Sequence, residues 1–273
     1  METAEVVKAM EKTSGYITAY DFEVYDVAWA IDQTAVYRNY MYLSIGIYLF
    51  LVYFGQKWMK NRPAYVLKYP LFFWNAGLAI FSIISTIRGT PEILYTLSSP
   101  EGTYKTICVG TPHNYATSFW AYLFVLSKLV EFGDTAFIVL RKQKLITLHW
   151  FHHVTTLLLT WLAMEHYDAL GRVFVINTFI HSIMYSYYAL KALKVKIPKR
   201  FAKSLTTLQI IQMFMVIYIN FSSVYFMAMG RPCKRNINVV YLSGIIIPIF
   251  AYLFIQFFRK TYLRPAPRTV KSD

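Results

Sequence analysis

Charge is scarce in this chain, and acid scarcer still. Only 15% of the 273 residues are charged, and 14 Asp and Glu face 28 Lys and Arg. Hydrophobic residues make up 56% and aromatic ones 18%. That balance argues against an ordinary soluble domain and for an integral membrane protein. Two-residue alternation is also missing, which weighs against a membrane β-barrel. Residues 1–35 lack the apolar core of about 7–15 residues that a cleaved signal peptide requires, so the first span is expected to act as a signal-anchor. Cysteine is limited to two positions and histidine to six.

What is abundant is apolar length. Roughly 20 apolar residues cross a bilayer core of about 30 Å as a helix. Seven stretches qualify: 36–56, 69–87, 114–140, 146–164, 173–190, 205–229 and 239–258. The expected class is therefore an all-α membrane protein with seven transmembrane helices. It forms a single domain: a lumenal N-terminal segment 1–35, a seven-span core 36–258 and a cytosolic tail 259–273. There is no low-complexity linker and no convincing internal repeat. Pro248 is expected to kink the last span, which membrane helices tolerate. The sequon at Asn220 falls inside the sixth span and is not expected to carry glycan.

A net charge of +14 could point to nucleic acid, but the cations are not spread that way. Segments 57–68, 141–145, 191–204 and the tail from Arg259 hold 18 of the 28 Lys and Arg, with Asp273 as their one acid. These are alternate loops of a seven-span chain and so share one side of the membrane. The positive-inside rule makes that side cytosolic and places the N-terminus in the lumen. Cys108 and Cys233 then fall on the opposite, oxidising side, where a Cys108–Cys233 disulfide is expected.

Polar groups inside a bilayer are costly, so each is a candidate for function. The third span carries Lys128, Glu131, Asp134 and Thr135 in "KLVEFGDT", at helical spacing. The fourth carries His149, His152 and His153 in "LHWFHHVTT". The fifth carries His181, Tyr185 and Tyr188 in "HSIMYSYY", and the sixth Gln209 and Gln212 in "TLQIIQ". Counted from the cytosolic ends, Asp134, His152, His181 and Gln212 lie at one depth, about 10–15 Å in at 1.5 Å per residue. Four helices thus register their polar residues at a single level. Lys128 and Glu131 can instead neutralise one another, the glutamines can serve as interhelical glue, and some tyrosines are packing or interfacial residues.

Three kinds of chemistry fit such a level. Histidine-box metal sites, as in di-iron desaturases and hydroxylases, use imidazole ligands. They draw on many histidines, and His113 and His166 sit at lumenal loops. A transporter is expected to show discontinuous helices and a midplane site, whereas this cluster lies on one side. The third is acyl transfer on a lipid substrate presented from the cytosol.

Here the motifs decide. "KLVEFGDT", "HWFHH", "HSIMYSYYAL" and "TLQIIQ", the last including Thr207-Leu-Gln209, stand in the order and spacing of the signature boxes of the ELO family of very-long-chain fatty acid elongases. The chain resembles that family over about residues 30–260. Trp150, with "RKQKLITLHW" and "MYSYYALKAL", is most similar to the branch acting on saturated and monounsaturated chains around palmitate length.

The resemblance implies an endoplasmic reticulum membrane protein and one reaction. Long-chain acyl-CoA condenses with malonyl-CoA to give 3-oxoacyl-CoA, carbon dioxide and CoA. The CoA thioesters are substrates; no metal and no other cofactor is implied. Implied partners are membrane lipid and the reductases and dehydratase of the elongation cycle, but not nucleic acid; a homo-oligomer is compatible. Neither cysteine reaches the polar level, so histidine is the available nucleophile. His152 is expected to carry the acyl group, with Asp134 orienting it, His181 polarising a carbonyl, and His149 and His153 placing the thioester or malonyl carboxylate. Lys128, Glu131, Tyr185, Tyr188 and Gln209 are expected to shape the substrate site. Lys199, Arg200 and Lys203 belong to the basic cytosolic mouth where CoA phosphates arrive. Beyond the histidines a narrow acyl tunnel is expected, with Trp161 as its stop.

Overall fold

A computed structural model of the chain describes residues 10–109 and 114–263, with only the backbone at 170 and 171. His113 and the basic tail from position 264 lie outside these residues. Ten helices carry the described chain: α1 (Val27–Val36), α2 (Arg38–Met59), α3 (Lys68–Ser98), α4 (Gly102–Cys108), α5 (Tyr115–Val130), α6 (Gly133–Leu140), α7 (Thr147–Glu165), α8 (Phe174–Ala192), α9 (Lys199–Ala228) and α10 (Ile237–Phe258). Short side chains start several of them by satisfying first-turn N–H groups that have no helical partner. Asp26 accepts from Trp29 N–H, Asn114 from Ala116 N–H, and Asn236 from Asn238 and Val239 N–H.

Three helices are long and apolar enough to cross a membrane on length and composition: Lys68–Ser98, Lys199–Ala228, and α10 with its π-turn, Ile237–Leu263. The chain is thus a multi-pass membrane protein. The remaining expected spans correspond to helices that carry tyrosines (α2) or the histidines (α7 and α8), and to α5–α6, whose interruption leaves pieces of 16 and 8 residues, each too short to cross alone.

The stretch expected at 205–229 starts earlier, at Lys199, and two others change more. The stretch expected at 69–87 runs on through Pro91 to Ser98. Tertiary contacts hold this extension: buried Glu92 accepts from Asn114 N–H at 3.2 Å and lies 4.0 Å from Arg172 Nε. The stretch expected at 114–140 is not one helix. It breaks at Glu131–Phe132, where Asp134 and Thr135 N–H donate three residues back, to the carbonyls of Glu131 and Phe132. Such tightened turns mark functional interruptions in helices. Gly133 explains the position of the break. A Cβ there would stand 2.4 Å from Trp74 Cζ2, so only glycine lets the Trp74 indole lie against this turn.

The helices pack in an order set by their apolar faces. α8 lies along α3, α9 along α10, and α7 sits between α5 and α10. One core joins α7, α9 and α10 through Leu159, Ala163, Met213, Val216 and Phe250. A second joins α1 to α2, α5 and α7 through Val27, Ile31, Met41, Val125 and Trp161. Large apolar residues such as Phe50, Phe73, Phe221 and Tyr241 face outward, as suits helices bathed in lipid. Pro248 lies inside the continuous α10. Asn220 is turned inward, donating to the Val240 carbonyl and accepting from Arg235 and Ser243.

Candidate active site

The polar residues of α5, α6, α7 and α8 meet in the interior. Asp134, in the first turn of α6, accepts from Trp74 Nε1 at 2.6 Å and from the Tyr185 hydroxyl at 2.8 Å. The histidine that approaches it is His153, whose Nε2 lies 4.0 Å away. The expected pairing of Asp134 with His152 is therefore replaced. Both carboxylate oxygens are already committed, and His152 Nδ1 is buried without a hydrogen-bond partner among the described residues. His149 Nε2 instead meets Thr135 Oγ1 at 3.0 Å, and Thr135 meets the Tyr48 hydroxyl at 2.8 Å. Trp74 and Tyr48 were not singled out by motif; in sequence they are two aromatics among many.

Lys128 and Glu131 form an ion pair of 2.7 Å with both residues 2% exposed. A desolvated pair survives only where further polar contacts satisfy its atoms. Ser127 Oγ donates to the same Glu131 oxygen at 3.1 Å, and Lys128 Nζ lies 3.4 Å from Asn177 Oδ1 and 4.1 Å from the centre of the Phe124 ring. His181 Nδ1 stands 3.9 Å from Glu131 Oε1. The interruption between α5 and α6 thus aims two carboxylates from one turn at two different histidines.

Two cavities adjoin at this level. One is lined by Glu131, Asp134, His149, His153, His181 and Tyr185, and reaches Tyr188, Gln209 and Tyr262. The other runs the opposite way between α5, α7, α8, α9 and α10, past Phe124, Leu159, Thr160 and Val216, to Tyr167, Asp168 and Arg172. His152, Asn177, Gln212 and Met213 line both. His152 is thus placed where a polar chamber meets an apolar shaft. His149, His152, His153, His181, Asp134, Lys128, Glu131, Tyr185, Tyr188 and Gln209 all line one of these cavities.

Four expected residues lie elsewhere. Lys199, Arg200 and Lys203 are exposed on the first turns of α9 and line neither cavity. Trp161 is no stop for the shaft: its indole turns to α1 and donates to the Thr34 carbonyl at 2.7 Å. Lys142, in the basic segment 141–145, donates to the carbonyls of Lys60 and Arg62.

At the far end of the shaft Cys108 and Cys233 are joined by a disulfide, with Cα atoms 4.2 Å apart. Beside it the Arg235 guanidinium and the Asp168 carboxylate, both fully buried, pair at 2.7 Å.

Residues 35–270 match the model of the ELO family, described as the GNS1/SUR4 family. The chain is 39% identical to a protein named putative fatty acid elongase 4 of Caenorhabditis elegans, over 96% of this chain and 91% of that protein. It is 40% identical to very long chain fatty acid elongase 6 of Drosophila melanogaster, over 83% and 73%. With very long chain fatty acid elongase 3 of Homo sapiens it shares 37%, over 89% and 92%.

Proposed function

The chain belongs to the ELO (GNS1/SUR4) family and is a condensing enzyme of fatty acid elongation; within that reaction, we propose that His152 carries the acyl group between the two cavities. Acyl-CoA and malonyl-CoA are its substrates, membrane lipid its surroundings, and its class is acyltransferase, a 3-oxoacyl-CoA synthase.

The observation that carries this reading is the position of His152 on the linings of both cavities. The acyl chain lies in the apolar shaft and the CoA-bearing parts in the polar chamber, so the thioester carbon comes to rest beside the imidazole. An unprotonated ring nitrogen attacks that carbon, the C–S bond breaks, and the thiolate leaves with the proton lost by the acylated ring. Malonyl-CoA then occupies the chamber. Its bond to the carboxylate breaks, carbon dioxide departs, and the freed electron pair forms the carbon–carbon bond to the acyl carbon. The C–N bond breaks last, and the departing imidazolide takes a proton from water, the one proton the overall reaction consumes, because the ring's first proton left with CoA.

His181 polarises the acyl carbonyl from α8, and His149 and His153 place the malonyl carboxylate. Asp134 acts on His153 rather than on His152. Lys128 and Glu131 hold the wall between chamber and shaft. CoA thioesters are substrates, and no resident metal or other cofactor enters this scheme.

The seven-span arrangement belongs to the same proposal. It sets the chamber toward the cytosol with the basic loops around it, the N-terminus and the disulfide in the lumen of the endoplasmic reticulum, and the C-terminus in the cytosol. The reductases and dehydratase that process a 3-oxoacyl-CoA are its expected neighbours. Detergent-purified protein given palmitoyl-CoA and labelled malonyl-CoA is expected to release labelled carbon dioxide and 3-oxostearoyl-CoA. Labelled carbon dioxide without a longer acyl product would contradict condensation.

A further inference from the structure

The shaft that leads away from His152 ends against charged side chains. We propose that Arg172 and Asp168 form a polar floor that fixes the longest acyl chain accepted, and that the Cys108–Cys233 disulfide holds this floor in place; both rest on the acyl-shaft reading given above.

One face of α7 lines the shaft with His152, Thr156, Thr160 and Ala163, and Tyr167 follows two residues past its end. The thirteen helical steps from His152 to Glu165 cover about 20 Å at 1.5 Å per residue, and Tyr167 and the floor lie just beyond them. Carbon–carbon bonds of about 1.5 Å advance an extended chain by roughly 1.25 Å per carbon, so about sixteen to eighteen carbons fill that depth. The tail of a longer chain meets the floor.

The floor is stiff because its polar atoms are already engaged. Arg172 Nη1 donates to the carbonyls of Lys105, Thr106 and Val109 at 3.0, 3.0 and 2.8 Å, at the end of α4. Asp168 accepts from Arg235 Nε at 2.7 Å and from Asn236 N–H at 2.6 Å. A tail pressing further would have to break contacts of this kind. Losing a hydrogen bond made by a charged group outweighs the gain from burying one more methylene, so the limit is a step.

The disulfide joins the two segments that hold the two floor residues. Cys108 ends α4, whose last carbonyls Arg172 grips, and Cys233 lies two residues before Arg235, which grips Asp168. Lys234 N–H donates to the Cys108 carbonyl at 2.7 Å, and Ala169 N–H to the Lys234 carbonyl at 3.3 Å. Reduction frees these segments to separate.

The test is kcat/KM across palmitoyl-, stearoyl-, arachidoyl- and behenoyl-CoA. It compares the oxidised protein, the same folded protein after reduction with a phosphine, Arg172→Met, and the double variant Cys108→Ser/Cys233→Ser. Reduction and Arg172→Met are each expected to raise the ratio for the first chain beyond the wild-type limit, relative to palmitoyl-CoA, by about tenfold, the scale on which a pocket discriminates a methylene. The reduced wild type decides the matter if a variant fails to fold. An unchanged length profile, or an equal fall at every length, overturns the floor while condensation itself stands. No 3-oxo product from the oxidised wild type at any length would overturn the acyl-shaft reading instead.

Discussion

Trp74 donates its indole N–H to Asp134 Oδ1 at 2.6 Å across 60 positions of sequence, while the same ring fills the space a side chain at position 133 would need. One residue of α3 thereby fixes both the break in the third apolar stretch and the carboxylate that follows it. Trp74→Phe keeps most of the packing and removes the donor. A buried acceptor left unpaired costs about 1–3 kcal/mol, so Trp74→Phe is expected to lower thermal stability in detergent and to reduce kcat more than it raises KM. Wild-type kcat in a folded Trp74→Phe protein would show that Asp134 needs no anchor.

Gly133→Ala tests the same contact from the other side. The added methyl meets the six-membered edge of the indole, an overpacking that costs about 1–3 kcal/mol. The expected outcome is a lower midpoint of thermal unfolding in Gly133→Ala, largely recovered when Trp74 is also reduced to a smaller residue. If Trp74→Leu adds its own loss in full to that of Gly133→Ala, the two positions are not coupled.

The Lys128–Glu131 pair is buried on both sides. Removing one member strands the other as an uncompensated charge, at about 3–5 kcal/mol. Lys128→Met and Glu131→Gln are each expected to be strongly destabilising, and the double variant Lys128→Met/Glu131→Gln to be milder than their sum. A double-mutant cycle by thermal unfolding checks this; simple additivity would mean that the charges do not depend on each other.

Lys199, Arg200 and Lys203 lie outside both cavities, and all three are exposed. If they draw CoA phosphates to the mouth, they act through a field that salt screens over about 8–10 Å. Neutralising all three is expected to raise the KM for acyl-CoA severalfold at low ionic strength, and far less at high. Identical KM values at both ionic strengths would leave these cations as signals of membrane topology.

The apolar stretches that became α3, α9 and α10 were legible because each is long enough for a helix to be the sole means of satisfying its backbone in lipid. The convergence of Asp134, His152, His181 and Gln212 was legible for a related reason: a helix converts position in sequence into depth. The partners were not. Nothing local to "KLVEFGDT" says that Trp74 and Tyr185 will claim Asp134, because those contacts are made across helices. The break at Glu131–Phe132 was hidden for want of a proline; its signal was Gly133, whose meaning depends on a tryptophan in another helix. Ten-residue α1 went unseen because its burial is tertiary, through Trp161 and the Thr34 carbonyl. That same contact is why Trp161 cannot close the shaft.

The most direct test of His152 omits malonyl-CoA. The protein incubated with palmitoyl-CoA alone, then digested and mapped by mass spectrometry, is expected to release one equivalent of free CoA and to carry palmitate on the peptide holding His152, with neither event in His152→Ala. An unacylated protein that releases no CoA until malonyl-CoA is added would contradict the covalent step and require both substrates to react together.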